Sequence, residues 1–339
     1  MSRDSFGSRF GALLAMAGSA VGLGNLWRFP YLLGENGGAA FIIVYLVMVC
    51  VICLPIFISE FVIGRRSQKN AYAAFRDLSG GSAWRWAGLM TVIVPLIVAS
   101  YYCVIGGWSI DYFLKALTFS FTGSESQSAM NTMFNDLVTS VWTPLICHTG
   151  FLLATVLIVM VGIKDGIEKF SKIMMPVLFF IVISIAIYSV TLPGAKAGLD
   201  YLFNPDFSKI DAKACAAALG QAFFSLSLGF GTIMTYASYV DKKENILFQS
   251  TATAVSDLAF ALIAGMAIMP AVFAFGLDPQ SGPGLVFETL PFVFSQMPAG
   301  GAVAILFFLA LLVAAITSSI SMVEVGVAYL VEEKGLSRH

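Results

Sequence analysis

The chain has 339 residues, of which 58% are hydrophobic and only 12% are charged, and its formal net charge is −1. A soluble domain carries about 25% charged residues, so this composition excludes an ordinary soluble protein and indicates an integral membrane protein. The nearly neutral charge balance gives no support to nucleic-acid binding.

Apolar segments long enough to cross a bilayer, about 20 residues each, recur along the whole chain. Polar stretches such as 65–70 and 278–283 separate them, and no soluble domain interrupts the series. The sequence therefore predicts a multi-pass helical protein embedded in the lipid bilayer. The eight predicted spans are 10–34, 39–64, 87–118, 141–161, 170–192, 214–240, 246–276 and 300–331.

Lysine and arginine are unevenly divided between the two sides that these spans define. With the N-terminus inside, fourteen of the 19 lie on the inner side and four on the outer side, while Arg28 stays in the membrane. Because cytoplasmic loops carry the excess of lysine and arginine, we expect a cytoplasmic N-terminus. The expected location is the cell membrane.

The first predicted span contains the run Gly18-Ser-Ala-Val-Gly-Leu-Gly-Asn-Leu-Trp-Arg-Phe-Pro30. Lipid cannot satisfy backbone groups that leave a helix, so non-helical backbone at membrane depth must line a cavity or be buried in protein. Close helix packing would explain Gly18 and Gly22 as a small-xxx-small motif. It does not explain Asn25, Arg28 and Pro30, so the run predicts a broken helix.

A second interruption lies in the sixth predicted span, where Gly229 and Gly231 flank an aromatic residue and Ser225 and Ser227 precede them. Five spans separate the two breaks, so the two helices run in opposite directions. Interrupted helices at matching positions of two oppositely oriented halves indicate an inverted-repeat transporter, with its binding site at the breaks.

The remaining polar residues within the spans leave more than one interpretation open. Thr317, Ser318 and Ser319 either bond back to their own helix or supply oxygen ligands for a hard cation. Asp257 lies within the seventh span, where an acid is a candidate functional residue. We expect Asp111 to lie near water, and Glu60 to cap a helix or reach the membrane interface.

Several of these segments together resemble the neurotransmitter:sodium symporter family, and especially its bacterial amino-acid transporters. The resemblance runs from Ser2 to the last residue. It implies an all-α membrane protein with the LeuT-type inverted-repeat fold and discontinuous helices 1 and 6. It further implies a location in the inner membrane of a bacterium. The segments that carry it are Ala15–Tyr31, Glu35–Gly38, Phe224–Gly231, Tyr236–Tyr239 and Ala315–Ser319.

The resemblance also implies how the chain is organised. Residues 1–192 would form the first five-helix repeat, 193–213 an extracellular loop, and 214–339 a partial second repeat. The family has eleven or twelve spans, so we expect a fragment of a longer product or a degenerate protein, with an incomplete second repeat. The acid that pairs with Arg28 across the outer vestibule of relatives comes from a span absent here.

Two sodium sites follow from the resemblance. The first would use the carbonyl of Ala20, the side chains of Asn25, Ser225 and Asp257, and the substrate carboxylate. The second would use the hydroxyls of two residues in the eighth span and three backbone carbonyls. Its members are Gly18, Val21, Ala314, Thr317 and Ser318. No organic cofactor is expected.

The implied substrate is an amino acid. Its carboxylate would meet the N–H groups of Leu23 and Gly24 and the hydroxyl of Tyr102, and its ammonium group would meet carbonyls freed in the two breaks. The side-chain pocket would be mostly apolar, which favours a hydrophobic or aromatic amino acid. The residues implied around the ammonium group and the side chain are Ala20, Val98, Phe224, Ser227, Phe230, Ser319 and Met322.

Gates and ion dependence complete the implied picture. Tyr102 and Phe230 would close over the substrate from outside, beneath Arg28. On the inner side Arg3 would pair with Glu332, helped by the two neighbouring residues Ser238 and Tyr239. Chloride-dependent relatives usually carry an amide at the position of Asp257, so we expect chloride independence here.

Two alternatives need different features. A channel or regulatory protein of the same fold would keep the glycine breaks without a closed amino-acid pocket. A membrane enzyme would need a phosphate loop, a metal cluster or a nucleophile–base pair, and none is present in the sequence. The sequence therefore favours a sodium-coupled amino-acid transporter that is not an enzyme.

Overall fold

The computed structural model describes residues 4–121 and 126–338, and every regular element within them is a helix. Two of the eight spans are made of two helical pieces. The spans are Arg9–Ala20 with Gly24–Glu35 (span 1), Ala39–Ser67 (span 2), Trp84–Leu117 (span 3), Trp142–Val161 (span 4), Ile163–Val190 (span 5), Ala212–Ser225 with Thr232–Ala237 (span 6), Ile246–Ala274 (span 7) and Gly300–Lys334 (span 8).

In the described part of the chain, six helices are each long and apolar enough to cross a membrane. The two pieces of span 1 qualify together and are bent by 45° at their junction. The two pieces of span 6 contain 14 and 6 residues, so neither could cross a bilayer alone. The eight predicted spans are thus all helical, but the sixth consists of two short pieces.

Both predicted breaks are present in the backbone. The first piece of span 1 ends at Ala20, and Val21 is extended, with φ −73° and ψ 106°. In span 6 the helix ends at Ser225, and Ser227, Gly229 and Gly231 have φ values of 53°, 78° and 69°. Left-handed backbone of this kind cannot continue an α-helix, so span 6 is interrupted for a full turn.

Shorter helices cover the ends of the spans. They are Ala71–Leu78, Gln127–Thr139, Ala195–Phe203, Phe207–Lys209, Gly282–Leu285 and Thr289–Gln296. The predicted loop 193–213 therefore contains two helices, one of which holds span 1: the hydroxyl of Tyr201 donates to the carbonyls of Leu33 and Gly34, at 3.0 and 2.8 Å.

The interior lies around spans 1, 6, 7 and 8, while spans 2 to 5 present apolar side chains outward. Val51, Leu153 and Phe180, from spans 2, 4 and 5, are each more than half exposed. Span 8 is far more enclosed than span 4. The two interrupted spans are thus enclosed by the others, which is where non-helical backbone can exist in a membrane.

Candidate functional site

The two breaks face each other across the centre of the protein. The Nε2 of Gln221 in span 6 donates to the carbonyl of Gly24 in span 1, at 2.8 Å. The hydroxyl of Ser227 donates to the carbonyl of Ser19, at 3.3 Å. Both acceptor carbonyls belong to span 1, so side chains of span 6 support the backbone on either side of the break in span 1.

Glu60 of span 2 supports the break in span 6. Its carboxylate accepts a hydrogen bond from the N–H of Gly229 at 2.7 Å, and the side chain is buried. Glu60 therefore does not reach the membrane interface, and its bond to an N–H just before the second piece of span 6 (Thr232–Ala237) is a capping contact, one of the two roles expected of it. A freed backbone N–H in a protein interior needs an acceptor, and the sequence gives no sign that this acceptor comes from a distant span.

A small cavity of about 20 Å³ lies between the breaks. Its wall includes eight of the ten predicted substrate residues, and adds polar atoms from Ser19, Ser225 and Ser318 and the backbone of Gly22. The eight predicted residues are Ala20, Gly24, Val98, Tyr102, Phe224, Ser227, Phe230 and Met322.

The two other predicted residues are placed differently. Within the described residues, neither Leu23 nor Ser319 lines the cavity. The hydroxyl of Ser319 instead accepts a hydrogen bond from Thr155 at 3.3 Å and lies 3.8 Å from the sulfur of Cys103. Ser319 therefore faces spans 3 and 4, because it is one residue beyond the face of span 8 that meets span 1.

Hydrogen-bonding groups of the kind that bind a carboxylate lie in the cavity wall at Tyr102 and directly behind it at Leu23. The N–H of Leu23 donates to the hydroxyl of Tyr102 at 3.2 Å. A methyl group on Gly22 would stand 2.9 Å from the same hydroxyl. The predicted carboxylate-binding groups of spans 1 and 3 are therefore adjacent. They lie at the start of the second, outer piece of span 1 (Gly24–Glu35), and the N-terminal end of a helix favours negative charge.

The residues predicted for the first sodium site meet beside this cavity. Oδ1 of Asp257 accepts hydrogen bonds from the Nδ2 of Asn25 at 2.8 Å and from the hydroxyl of Ser225 at 2.7 Å. Asp257 is fully buried, and its Oδ2 has no hydrogen-bond partner among the described residues. A buried carboxylate oxygen of this kind fits a hard cation, and Ala20 lines the adjacent cavity.

The second predicted sodium set also comes together. Oγ1 of Thr317 lies 3.4 Å from the carbonyl of Val21 and 3.0 Å from that of Ala314, and the hydroxyl of Ser318 lies 3.5 Å from the carbonyl of Val21. Gly18 is directly against Thr317, since an added Cβ would be 3.4 Å from the Thr317 Cβ. Spans 1 and 8 thus share one cluster of oxygen atoms.

Aromatic rings separate this cavity from a larger one on the outer side. Phe224 and Phe230 line both cavities, with ring centroids 6.3 Å apart. The guanidinium of Arg28 lies 5.2 Å from the ring centre of Phe224 and donates to the carbonyl of Gly220 and the Oε1 of Gln221, at 3.2 and 3.3 Å. Phe224 and Phe230 therefore lie between the two cavities, and Arg28 lines the outer one.

On the inner side the predicted gate is only partly described. Arg3 lies outside the described residues, so its predicted pairing with Glu332 is not described. The carboxylate of Glu332 accepts hydrogen bonds from the backbone N–H and the side-chain amide of Asn70, at 2.8 and 3.0 Å. Ser238 donates to the carbonyl of Thr235 at 2.5 Å. The hydroxyl of Tyr239 donates to Glu324 at 2.7 Å.

Glu324 and Arg338 form an ion pair that the sequence analysis missed. The carboxylate of Glu324, fully buried in span 8, accepts hydrogen bonds from both terminal nitrogens of Arg338, at 2.7 and 2.9 Å. Burial alone would lower the pKa of Arg338, but the hydrogen bonds to Glu324 outweigh it and hold that pKa above its usual range.

Comparisons with known proteins identify the family. The profile of the family described as "Sodium:neurotransmitter symporter family" matches residues 3–136 and 136–338. The sodium-dependent transporter YhdH of Bacillus subtilis is 40% identical over 321 residues, which are 95% of this chain and 71% of that protein. A sodium-dependent transporter of Haemophilus influenzae is 38% identical over 345 residues, or 99% of this chain and 76% of that one.

A solved structure shares the whole architecture. The crystal structure of MhsT in complex with L-phenylalanine superposes with a TM-score of 0.92 at 45% sequence identity, covering 99% of this chain and 76% of MhsT. Both the sequence and the arrangement of the helices are therefore shared along almost all of the chain. The fold is of the LeuT type, and the chain belongs to the sodium:neurotransmitter symporter family.

Proposed function

We propose that the protein couples the entry of sodium to the symport of a neutral amino acid with a hydrophobic or aromatic side chain, by alternating access. The observation that carries the proposal is the cavity between the two breaks. It combines the hydroxyl of Tyr102, which accepts the N–H of Leu23 just behind the wall, with the apolar side chains of Val98, Phe224, Phe230 and Met322, and it adjoins the buried carboxylate of Asp257.

The shape and chemistry of the wall support a hydrophobic side chain. Val98, Phe224, Phe230 and Met322 contribute apolar surface, and the polar residues of the wall are Ser19, Tyr102, Ser225, Ser227 and Ser318. The related structure of MhsT was solved in complex with L-phenylalanine. An apolar wall disfavours a charged side chain, because a buried charge without a partner costs several kcal/mol or more.

Coupling to sodium would act through both oxygen sets. An ion at the first set, beside Asp257, would also touch the substrate carboxylate, so each ligand would strengthen binding of the other. An ion at the second set would join spans 1 and 8 and favour the conformation in which Val21 and Thr317 are close. Two ions crossing a tenfold gradient and 100 mV supply about 7 kcal/mol.

We also propose that transport does not need chloride. Asp257 places a fixed negative charge at the first sodium set, within 2.8 Å of Asn25 and 2.7 Å of Ser225. A bound anion is then unnecessary to balance the sodium charge. For orientation, we propose a cytoplasmic N-terminus, supported by the excess of lysine and arginine on that side.

Equilibrium binding to the purified protein tests the substrate proposal. Labelled phenylalanine, leucine, alanine, lysine and glutamate are offered in sodium and in potassium chloride. We expect sodium-dependent binding of phenylalanine or leucine only, weakened about 10- to 100-fold by Asn25→Ala, because one ligand of a charged group is lost. Binding of lysine or glutamate as tightly as phenylalanine would contradict a neutral, apolar substrate.

A further inference from the structure

The cytoplasmic half of span 7 has a buried face made of polar side chains. Gln249, Ser250, Thr253 and Asp257 are all fully buried, and at 3.6 residues per turn they lie within about 100° of the helix circumference. With a rise of 1.5 Å per residue, this face runs for about 12 Å from Gln249 to Asp257. A transmembrane helix normally buries apolar or small residues there.

This polarity stops at Asp257. Continuing along the same buried face toward the outer side, the next residues are Phe260, Ala261 and Ala264, all fully buried and all apolar. A polar face needed only for packing between helices would have no reason to occupy one half of the span. The row of polar residues therefore runs from Asp257, the acid of the first sodium set, toward the cytoplasmic side. It does not continue from Asp257 toward the outer side.

The polar atoms of this face are poorly satisfied by protein. Within the described residues, the Oε1 of Gln249, the hydroxyl of Ser250 and the Oδ2 of Asp257 have no hydrogen-bond partner. The hydroxyl of Thr253 donates to the carbonyl of Gln249, one turn earlier in its own helix. Buried polar atoms without partners are costly, and water is the molecule that most often satisfies them.

The polar face contacts span 1 at both ends, meeting the inner piece (Arg9–Ala20) at its cytoplasmic end and the outer piece (Gly24–Glu35) at Asp257. At the cytoplasmic end the Nε2 of Gln249 donates to the carbonyl of Arg9 at 3.4 Å, and at the other end Asn25 bonds to Asp257. A partly exposed ion pair between Arg9 and Glu244, at 3.1 Å, lies where this seam reaches the surface. The seam between spans 1 and 7 is therefore closed at the cytoplasmic surface by an ion pair.

We propose that the polar face of span 7 is the route by which water reaches the first sodium set from the cytoplasm, and along which that sodium ion leaves. The route opens when the inner piece of span 1 moves away from span 7 and the contacts of Arg9 with Glu244 and Gln249 break. This inference rests on the proposed sodium coupling. It assigns Gln249, Ser250 and Thr253 to ion release, apart from the substrate cavity.

Cysteine labelling tests the route. Ser250→Cys is made in a chain whose five native cysteines are replaced, and its reaction with a charged, water-borne methanethiosulfonate is timed in sodium with phenylalanine and in potassium. We expect labelling at least about 10-fold faster in potassium, because sodium and substrate favour the closed seam. Ala261→Cys is the matched control, buried on the same helix beyond Asp257, and should label slowly in both cations.

Labelling of Ser250→Cys no faster than Ala261→Cys in either cation would overturn the route. If Ser250→Cys does not fold, the labelling rate of Thr253→Cys, about one turn closer to Asp257, tests the same route. Sodium-dependent phenylalanine binding is measured on the same preparations. Intact binding without labelling rejects the route alone, whereas cation-sensitive labelling without phenylalanine binding supports the route and rejects the proposed substrate.

A conservative variant separates ion release from support of the fold. Thr253→Val removes the hydroxyl at nearly constant volume. The route predicts a sodium dissociation rate at least about 3-fold lower, with the equilibrium sodium affinity changed less than the rate. An unchanged dissociation rate in a folded, substrate-binding variant would count against the route.

Discussion

At Gly22 a methyl group would stand 2.2 Å from the hydroxyl oxygen of Ser318 and 2.9 Å from that of Tyr102. Both hydroxyls belong to the cavity wall, and the backbone on either side forms the break in span 1. The break therefore leaves no space for a side chain between spans 1, 3 and 8. Glycine is needed here for close approach and not for an unusual φ angle.

Gly22→Ala should abolish sodium-dependent amino-acid binding or weaken it at least about 100-fold, because a gap of 2.2 Å forces Ser318 or the backbone to move. Gly150→Ala in span 4 is the control, since nothing lies within 4 Å of its added Cβ. Equilibrium binding of labelled phenylalanine measures both. Normal binding by Gly22→Ala would show that the cavity is not the substrate site.

The negative charge of Asp257 predicts how amino-acid binding depends on chloride. Wild-type binding should be unchanged when gluconate replaces chloride, whereas Asp257→Asn should bind only when chloride supplies the missing negative charge. Asp111→Asn is the control, since Asp111 pairs with Lys115 near the end of span 3. Chloride stimulation of the wild-type protein, or chloride-free binding by Asp257→Asn, would contradict the electrostatic argument.

Residue type explains which site residues the sequence could reveal. Asn25, Ser225 and Asp257 are polar residues in apolar spans, and the structure brings them within 2.8 Å of one another in pairs. Ser319 has the same residue type as Ser318 but faces spans 3 and 4, because one position along a helix turns a side chain by about 100°. Residue type alone therefore does not tell which of the two neighbouring serines faces span 1.

At the level of the elements, each broken helix depends on groups from another span. Span 2 supplies Glu60 to the N–H of Gly229, and span 6 supplies Gln221 to the carbonyl of Gly24. Glycine runs predict where a helix breaks, but the partner of each freed backbone group comes from a distant span. The breaks were therefore predictable from sequence, and their supports were not.

Glu60→Leu should reduce the free energy of unfolding by about 1–3 kcal/mol, because the N–H of Gly229 loses its carboxylate acceptor. Glu60→Gln keeps an acceptor oxygen and should recover most of that loss. Thermal unfolding in detergent, followed through intrinsic tryptophan fluorescence, measures the difference. Equal stability of Glu60→Leu and the wild-type protein would contradict the supporting role.

The end of span 8 illustrates a second limit of the sequence. Gly335, at φ 68°, ends the helix and turns the chain, so that Arg338 reaches Glu324, 14 positions earlier. No helical spacing relates these two residues. Their pairing depends on the direction that the chain takes after a single glycine.

Arg338→Ala should destabilise the protein by about 3–5 kcal/mol, because it leaves the carboxylate of Glu324 buried without its main charge partner. Adding Glu324→Gln should restore part of the loss, since an amide is less costly to bury. The wild-type protein, the two single variants and the double variant form a double-mutant cycle, and thermal unfolding measures the stability of each. Additive effects would show that the pair does not interact.

For the whole molecule, apolar segment length predicted eight spans, and the structure has helices at all eight. Span 6 was identified by its glycines as well as its apolar content, since its pieces of 14 and 6 residues are each too short to cross a bilayer. The match to MhsT, at a TM-score of 0.92, extends over 99% of this chain. The aligned parts cover 71% of YhdH and 76% of MhsT.

For the molecule as a whole, we propose that sodium and an amino acid bind together in the cavity between the breaks. The most direct measurement is a titration of labelled phenylalanine binding to the purified protein with sodium at constant ionic strength, potassium replacing sodium. We expect no binding in potassium and a steep rise with sodium, with a Hill coefficient above 1 that falls in Thr317→Ala. Equal phenylalanine binding in potassium and in sodium would contradict the account.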